Sequence, residues 1–302
     1  MGRATRLDER MKLGILVEAE EGLDWETWRG VCRQAERLGF DSVWISDHFQ
    51  SPWAAERHGL DAWLALAVAA TDTSTITLGP LVSPITFREP GITARMAESL
   101  ARLSRGRFVL GLGLGWNEAE HHHARIPFPS VAERRERLRE GIELIREVLG
   151  EQRVPLLIGG GGSTSTLPLV ARYADAWNMT TSSVEVYRAR SERLAELCSA
   201  IGRDPGQIRR SVAVGYLIGH NSTDLERRSA GMRQLVPPLA SPRDALQAAR
   251  DMGWVAGTVS EIVEQLRALA DAGVELAILG HYDPADVAAL ELIANEVMPA
   301  VA

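Results

Sequence analysis

Cysteine is scarce: 302 residues contain two, Cys32 and Cys198. Both fall in helical patterns, and two isolated cysteines make neither a disulfide framework nor a zinc site, so they read as small buried hydrophobes. Long apolar runs are missing too. The longest, Ala62 to Ala70, falls far short of the roughly 18 residues that mark a membrane span. Met1 to Arg10 is polar and charged, with none of the apolar core of a secretory signal, and reads as a disordered tail. A cytoplasmic location is the expectation. Positive charge is also lacking, for the formal net charge is −7. Nucleic acid and anionic membrane call for a basic surface, so neither is expected as a partner. No linker or charge block divides the chain, and residues 11–302 read as one domain.

Several catalytic signatures are absent as well. There is no H-E-x-x-H, no H-x-H after the first apolar run and no serine-nucleophile elbow. His121-His122-His123 would point three successive side chains in different directions, which opposes a shared ion; no metal is expected.

What is present is alternation. Apolar runs at 12–17, 42–46, 75–82, 107–112, 154–158, 176–179, 211–218 and 276–279 read as strands. Amphipathic or Ala-rich stretches at 25–38, 61–70, 92–103, 133–149, 167–173, 184–200, 260–270 and 284–297 read as helices, the last opening at Pro284. Gly79-Pro80 implies a bulge in the third strand. The segment 221–257 is mostly helical, broken at Pro237-Pro238 and Ser241-Pro242, and reads as an excursion. Eight strand-helix alternations select a closed parallel α/β barrel, the (β/α)8 TIM barrel, over an open sheet.

The barrel gathers the suspicious residues on one rim, because each follows a strand. Asp47 and His48 crown the second; the alternative is that Asp47 caps the next segment and His48 packs on Phe49. After the fifth strand come Gly159, Gly160, Gly161 and Gly162, which let the backbone approach a ligand closely. Their N–H groups, ahead of a helix expected near Ser163, suit a phosphate. The run lacks a P-loop lysine, and a flexible barrel loop is the other reading. Gly111, Gly113 and Gly115 imitate a dinucleotide fingerprint but lack its third glycine. Ser83, Trp177-Asn178 and His281 mark further points of the rim.

Taken together, Gly39-Phe-Asp-Ser-Val-Trp-Ile-Ser-Asp-His-Phe49, Leu78-Gly-Pro-Leu-Val-Ser-Pro84, Leu103 to Phe108, Gly111 to His121, Pro155 to Gly160 and Ala174 to Asn178 resemble the luciferase-like monooxygenase superfamily. Within it they look like the branch of oxidoreductases that depend on the deazaflavin coenzyme F420. The resemblance spans nearly the whole chain. It implies hydride transfer between the deazaflavin and a small-molecule substrate, and a homodimer. An FMN-dependent monooxygenase is the alternative, and a catalytically idle flavin-binding barrel a third reading.

By resemblance, Asp47 and His48 match an acid-histidine pair beside the ring and are catalytic candidates, with His48 a proton donor or ring ligand. Glycines 159 to 162 match a phosphate turn, and Leu81-Val82 a cis peptide at the cofactor. Ser46, Ser83, Trp116, Asn117, Trp177 and Asn178 are implied as cofactor neighbours, with Glu118 a catalytic candidate. Some relatives carry a glutamate where this chain has Trp116, and Glu118 is the candidate replacement. Only Gly150 to Arg153 stand where relatives have a longer loop, which implies a more open substrate mouth. Arg88, Arg125 and Arg172 lie near expected rim loops, where they either line a groove for an acidic cofactor tail or are solvated surface.

Overall fold

Strand residues alternate between two environments, and that alternation builds the molecule. The computed structural model describes residues 11–54, 56–181, 183–233, 235–240 and 245–301. The expected tail and the Ser241-Pro242 break lie outside them. The strands are β1 (Lys12–Val17), β2 (Ser42–Ile45), β3 (Thr77–Pro80), β4 (Ser83–Pro84), β5 (Leu110–Gly113), β6 (Leu156–Gly159), β7 (Ala176–Thr180), β8 (Arg209–Gly219), β9 (Val255–Thr258) and β10 (Leu276–Gly280). Leu16, Trp44, Leu157, Leu276 and Ile278 point inward and pack on one another inside the barrel. Their chain neighbours Ile15, Val17, Val43, Ile45, Ile158, Ala277 and Leu279 point outward into the layer under the helices. A strand buried on both faces must be apolar at every position, hence the continuous runs in the sequence.

The sheet order is β3-β2-β1-β10-β8-β7-β6-β5-β4, with neighbouring strands parallel. A bridge between Leu78 and Phe108, with the Val109 N–H donating to the Leu78 carbonyl at 2.9 Å, closes the ring. Because β3 and β4 are one strand interrupted at Leu81-Val82, the described residues fill eight positions of a (β/α)8 barrel.

The helices are α1 (Trp25–Arg37), α2 (Ala62–Asp72), α3 (Pro90–Leu103), α4 (Glu118–His123), α5 (Val131–Leu149), α6 (Leu167–Tyr173), α7 (Val184–Ala200), α8 (Ser222–Met232), α9 (Ala245–Asp251), α10 (Val259–Asp271), α11 (Val287–Leu292) and α12 (Met298–Val301). Side chains set several starts. Asp24 accepts from the Glu26 and Thr27 N–H groups, Asp61 from Trp63 and Leu64, and Ser130 forms a capping box with Glu133. No described helix is long and apolar enough to cross a membrane.

Three local expectations are corrected. The excursion is helical at α8 and α9, but its end is β9, which pairs with Tyr216–Gly219 of β8. The segment packs around a small core of its own that includes Leu217, Met232, Val236 and Trp254. The helix expected near Ser163 starts at Leu167, because residues 163–166 form a turn closed by the Thr166 N–H donating to the Gly162 carbonyl. The last helix starts at Val287 rather than Pro284, where Asp286 caps it by accepting from the Ala289 N–H.

Candidate active site

The carboxyl ends of the strands surround a cavity of about 560 Å³, within the range of small-molecule and cofactor sites. Of the residues expected there, His48, Leu81, Val82, Trp116, Gly159, Gly160 and Asn178 line it. The Leu81–Val82 peptide bond is cis. Val82 also explains two glycines. A Cβ on Gly113 would sit 2.6 Å from a Val82 methyl, and one on Gly159 2.9 Å, so both positions must lack a side chain to admit Val82. The G-x-G spacing in β5 therefore serves packing and not a dinucleotide.

Period two separates Asp47 from His48. Trp44 faces inward and Ile45 outward; continued past β2, that alternation turns His48 to the cavity and Asp47 away. Asp47 lies buried outside the barrel. It accepts from Ser83 Oγ at 2.5 Å, Arg88 Nη1 at 2.5 Å, Arg88 Nη2 at 3.1 Å and Trp63 Nε1 at 3.2 Å. Asp47 and Ser83 thus hold the rim together and do not line the cavity.

His48 has a different acid. Its Nδ1 donates to Glu120 at 2.9 and 3.0 Å, and the Phe49 N–H donates to the same carboxylate at 3.1 Å. Glu120 is fully buried because Asn117 caps α4, accepting from the Ala119 and Glu120 N–H groups, so that the helix begins directly after β5. The same turn sends Glu118 into solvent, where it sits 3.8 Å from His122. The expected catalytic role of Glu118 is corrected accordingly: the carboxylate at the site belongs to Glu120, two residues on. The three histidines diverge. His121 is buried, donating from Nδ1 to the Asn117 carbonyl at 2.6 Å and accepting at Nε2 from Thr86 at 2.7 Å, while His122 and His123 are exposed.

The turn after β1 delivers three more carboxyl groups, Glu18, Glu20 and Glu21, to the cavity. Ser46, itself not lining it, donates to Glu20 at 2.5 Å and accepts from the Ala19 N–H at 2.7 Å. Burial and the charge of Glu20 push Glu18 up to about 8. Burial raises Glu20 as well. For His48, burial acts downward, but the Glu120 hydrogen bond and the charges of Glu20, Glu120 and Glu18 outweigh it and bring the imidazole up to about 9. At neutral pH His48 is an imidazolium with Nδ1 tied to Glu120. The position of Glu18 and Glu20 was readable in principle, since they follow an apolar run just as Asp47 and His48 do.

Gly161 and Gly162 lie just beyond the cavity lining. The Gly160 N–H is taken by the Asn178 carbonyl at 2.8 Å, and the Gly160 carbonyl accepts from Trp177 Nε1 at 2.9 Å. Trp177 is therefore a buried brace beneath the turn. Among the described residues, the N–H groups of residues 161–165 meet no acceptor, which moves the phosphate-suited stretch past Gly160. Asn178 faces the cavity with its Nδ2 donating to Ser211 at 3.0 Å. The described residues contain no cluster that could hold a metal.

Two expectations about surroundings change. Gly150 to Arg153 enter β6 at its amino end, where Arg153 lies 3.4 Å from Asp175, the residue ahead of β7. That short loop is at the opposite end from the cavity and leaves its mouth unaffected. Arg172, in the last turn of α6 beside Tyr173, is also at that far end. Arg88 is committed to Asp47, and Arg125 is exposed after α4.

A closed parallel barrel with a buried acid-histidine pair and a glycine turn at its carboxyl rim is an α/β barrel of the kind that carries its site at that rim. The chain belongs to the luciferase-like monooxygenase family, whose model matches residues 11–276. It is 37% identical over 190 residues to the F420-dependent glucose-6-phosphate dehydrogenase of Intrasporangium calvum, 54% of this chain and 55% of that enzyme. The chain thus spans about half the length of that relative. It is 28% identical to the F420-dependent hydroxymycolic acid dehydrogenase of Mycobacterium tuberculosis, over 89% of this chain and 82% of that one. The fold is shared, at a TM-score of 0.80 and 20% identity, with an F420-dependent secondary alcohol dehydrogenase, over 97% of this chain and 99% of that one.

Proposed function

We propose that this chain is an oxidoreductase that uses coenzyme F420 to oxidise or reduce a small organic substrate. The observation that carries the reading is the His48–Glu120 pair set into a cavity walled by Leu81, Val82 and the glycine turn. Relatives named as F420-dependent dehydrogenases support it. The residues present fit such a coenzyme. Gly113 and Gly159 leave Val82 to form a side-chain wall, and the free N–H groups of residues 161–165 suit a phosphate. When bound, the coenzyme supplies the hydride chemistry. The protein supplies the proton: Glu120 holds Nδ1 of His48, leaving Nε2 as the ring nitrogen free to serve a substrate oxygen. Trp116, in edge contact with His48 at 5.6 Å between ring centroids, narrows the approach. The homodimer implied by the resemblance is checked by a solution mass twice that of one chain.

Titrating the purified protein with F420 and with FMN at fixed low salt tests the assignment. F420 is expected to bind more tightly. Equal binding of FMN, or oxygen-dependent turnover with reduced FMN, hands the chain to the monooxygenases of its family. The same titration checks the glycine turn. Gly160 has φ +120°, where any side chain is strained, so a substitution there also tests the fold. Gly161 is the cleaner probe, since a Cβ there first meets the flexible Met179 terminus at 3.2 Å. Gly161→Val is expected to weaken F420 binding more than tenfold, about 1.4 kcal/mol, with the fold retained. Unchanged affinity removes residues 161–165 from the cofactor site.

A further inference from the structure

We propose that the substrate of this site carries no anionic group: it is an uncharged carbonyl–alcohol couple with an apolar or aromatic body, and not a sugar phosphate. The proposal rests on the oxidoreductase reading above and deepens it. Among the described residues lining the cavity there is no lysine or arginine, whereas Glu18, Glu20 and Glu21 form one of its sides. Two guanidinium groups that reach residues of this rim are engaged. Arg57 is paired with Glu21 and donates to the Leu235 carbonyl at 2.9 Å, and Arg88 is held by Asp47.

An anion that leaves water needs charged or convergent donors to replace its hydration. Two features supply them: the N–H groups of residues 161–165, which the coenzyme takes in the reading above, and the His48 imidazolium, whose charge is already met by the buried Glu120 carboxylate. The cavity already disfavours negative charge of its own, because burial and Glu20 keep the Glu18 carboxyl protonated up to about pH 8. A phosphate or carboxylate on the substrate would add to that repulsion.

Much of the remaining wall is apolar, and three of its residues are aromatic. Trp53 and Tyr282 line the cavity with ring centroids 5.9 Å apart, and Trp254 stacks behind Tyr282 at 4.7 Å and 13°. Trp116 is 66% exposed, an apolar surface left open to a ligand at the mouth. In the reductive sense a bound reduced F420 would supply the hydride, with its electron pair, to the carbonyl carbon and be oxidised by two electrons. As the C=O π bond opens, His48 would give its Nε2 proton to the oxygen, and the neutral alcohol would leave. A protonated Glu18 gives the cavity a second donor, an O–H beside the N–H of His48.

The experiment compares benzaldehyde with para-carboxybenzaldehyde, which differ by one negative charge. Binding is measured by calorimetry on the coenzyme-free protein with inorganic phosphate present to occupy the N–H groups of residues 161–165, and kcat/KM with reduced F420. Benzaldehyde is expected to be favoured at least tenfold in both. Glucose is expected to match or exceed glucose 6-phosphate. Glu20→Gln should narrow the benzaldehyde preference, while Glu118→Gln, on the surface, should leave it in place. Equal or tighter binding of the anion, faster turnover of glucose 6-phosphate than of glucose, or no binding of either aldehyde overturns the proposal. Failure of F420 to bind overturns the oxidoreductase reading alone, because the calorimetric comparison needs no coenzyme.

Discussion

Replacing His48 by asparagine is expected to lower turnover about a hundredfold or more, the usual scale of an acid-base contribution, while F420 affinity and the melting temperature stay near those of the unmodified protein. The choice of asparagine follows from Glu120. That carboxylate is fully buried, and its partners are His48 Nδ1 and the Phe49 N–H. His48→Ala would strip one of them and leave a buried charge underpaired, a cost of about 3 kcal/mol when a buried pair is broken. Loss of activity in the alanine variant would therefore mix chemistry with stability. An asparagine amide restores an N–H donor toward Glu120 but cannot exchange a proton near neutrality. Steady-state turnover with reduced F420, beside thermal unfolding of both variants, separates the two effects. Near-normal turnover in His48→Asn would reduce His48 to a packing residue and remove the proton-donor role.

The barrel was legible because its strands are buried on both faces and its helices on one. Ser42 to Ile45 is apolar or small without interruption, and Trp25 to Arg37 repeats its buried Trp28, Val31, Cys32 and Ala35 at helical spacing. β9 escaped for the opposite reason: Val255–Thr258 is four residues long and follows directly on helical sequence. At the site, strand ends told which loops matter but not which way each side chain turns. Asp47 and His48 are adjacent in sequence and lie on opposite sides of the barrel wall, a consequence of period-two geometry that a motif cannot express. Glu118 and Glu120 are the same kind of pair on a helix. The first turn of α4 faces one outward and the other inward, and only the Asn117 cap, visible once the backbone is placed, settles the phase. The glycines of β5 and β6 signalled close approach correctly, yet what approaches Gly113 and Gly159 is Val82 of the protein itself.

The alkaline limb of carbonyl reduction is expected near pH 9, and Glu120→Gln is expected to move it down toward the ordinary histidine value of about 6.5. The groups facing His48 are Glu18 and Glu20 from the end of β1 and Glu120 from α4, with Tyr282 beyond β10 also on the cavity. Burial raises the Tyr282 hydroxyl above its ordinary range, so it stays neutral across the window. Burial alone would depress the imidazole; the bond to Glu120 heads the causes that raise it to about 9. A raised value means that the imidazolium is present at neutral pH and is lost as the pH climbs through about 9, so reduction, which consumes its proton, falls there, and alcohol oxidation rises to the same point. Glutamine keeps the shape and an oxygen acceptor but removes the charge, so a purely structural role of Glu120 would leave the limb in place. Glu18, raised to about 8, offers the competing assignment. Rate profiles for both variants distinguish the two: a limb that persists near pH 9 in Glu120→Gln but disappears in Glu18→Gln would transfer the proton to Glu18 and leave His48 as a fixed positive charge beside the substrate oxygen.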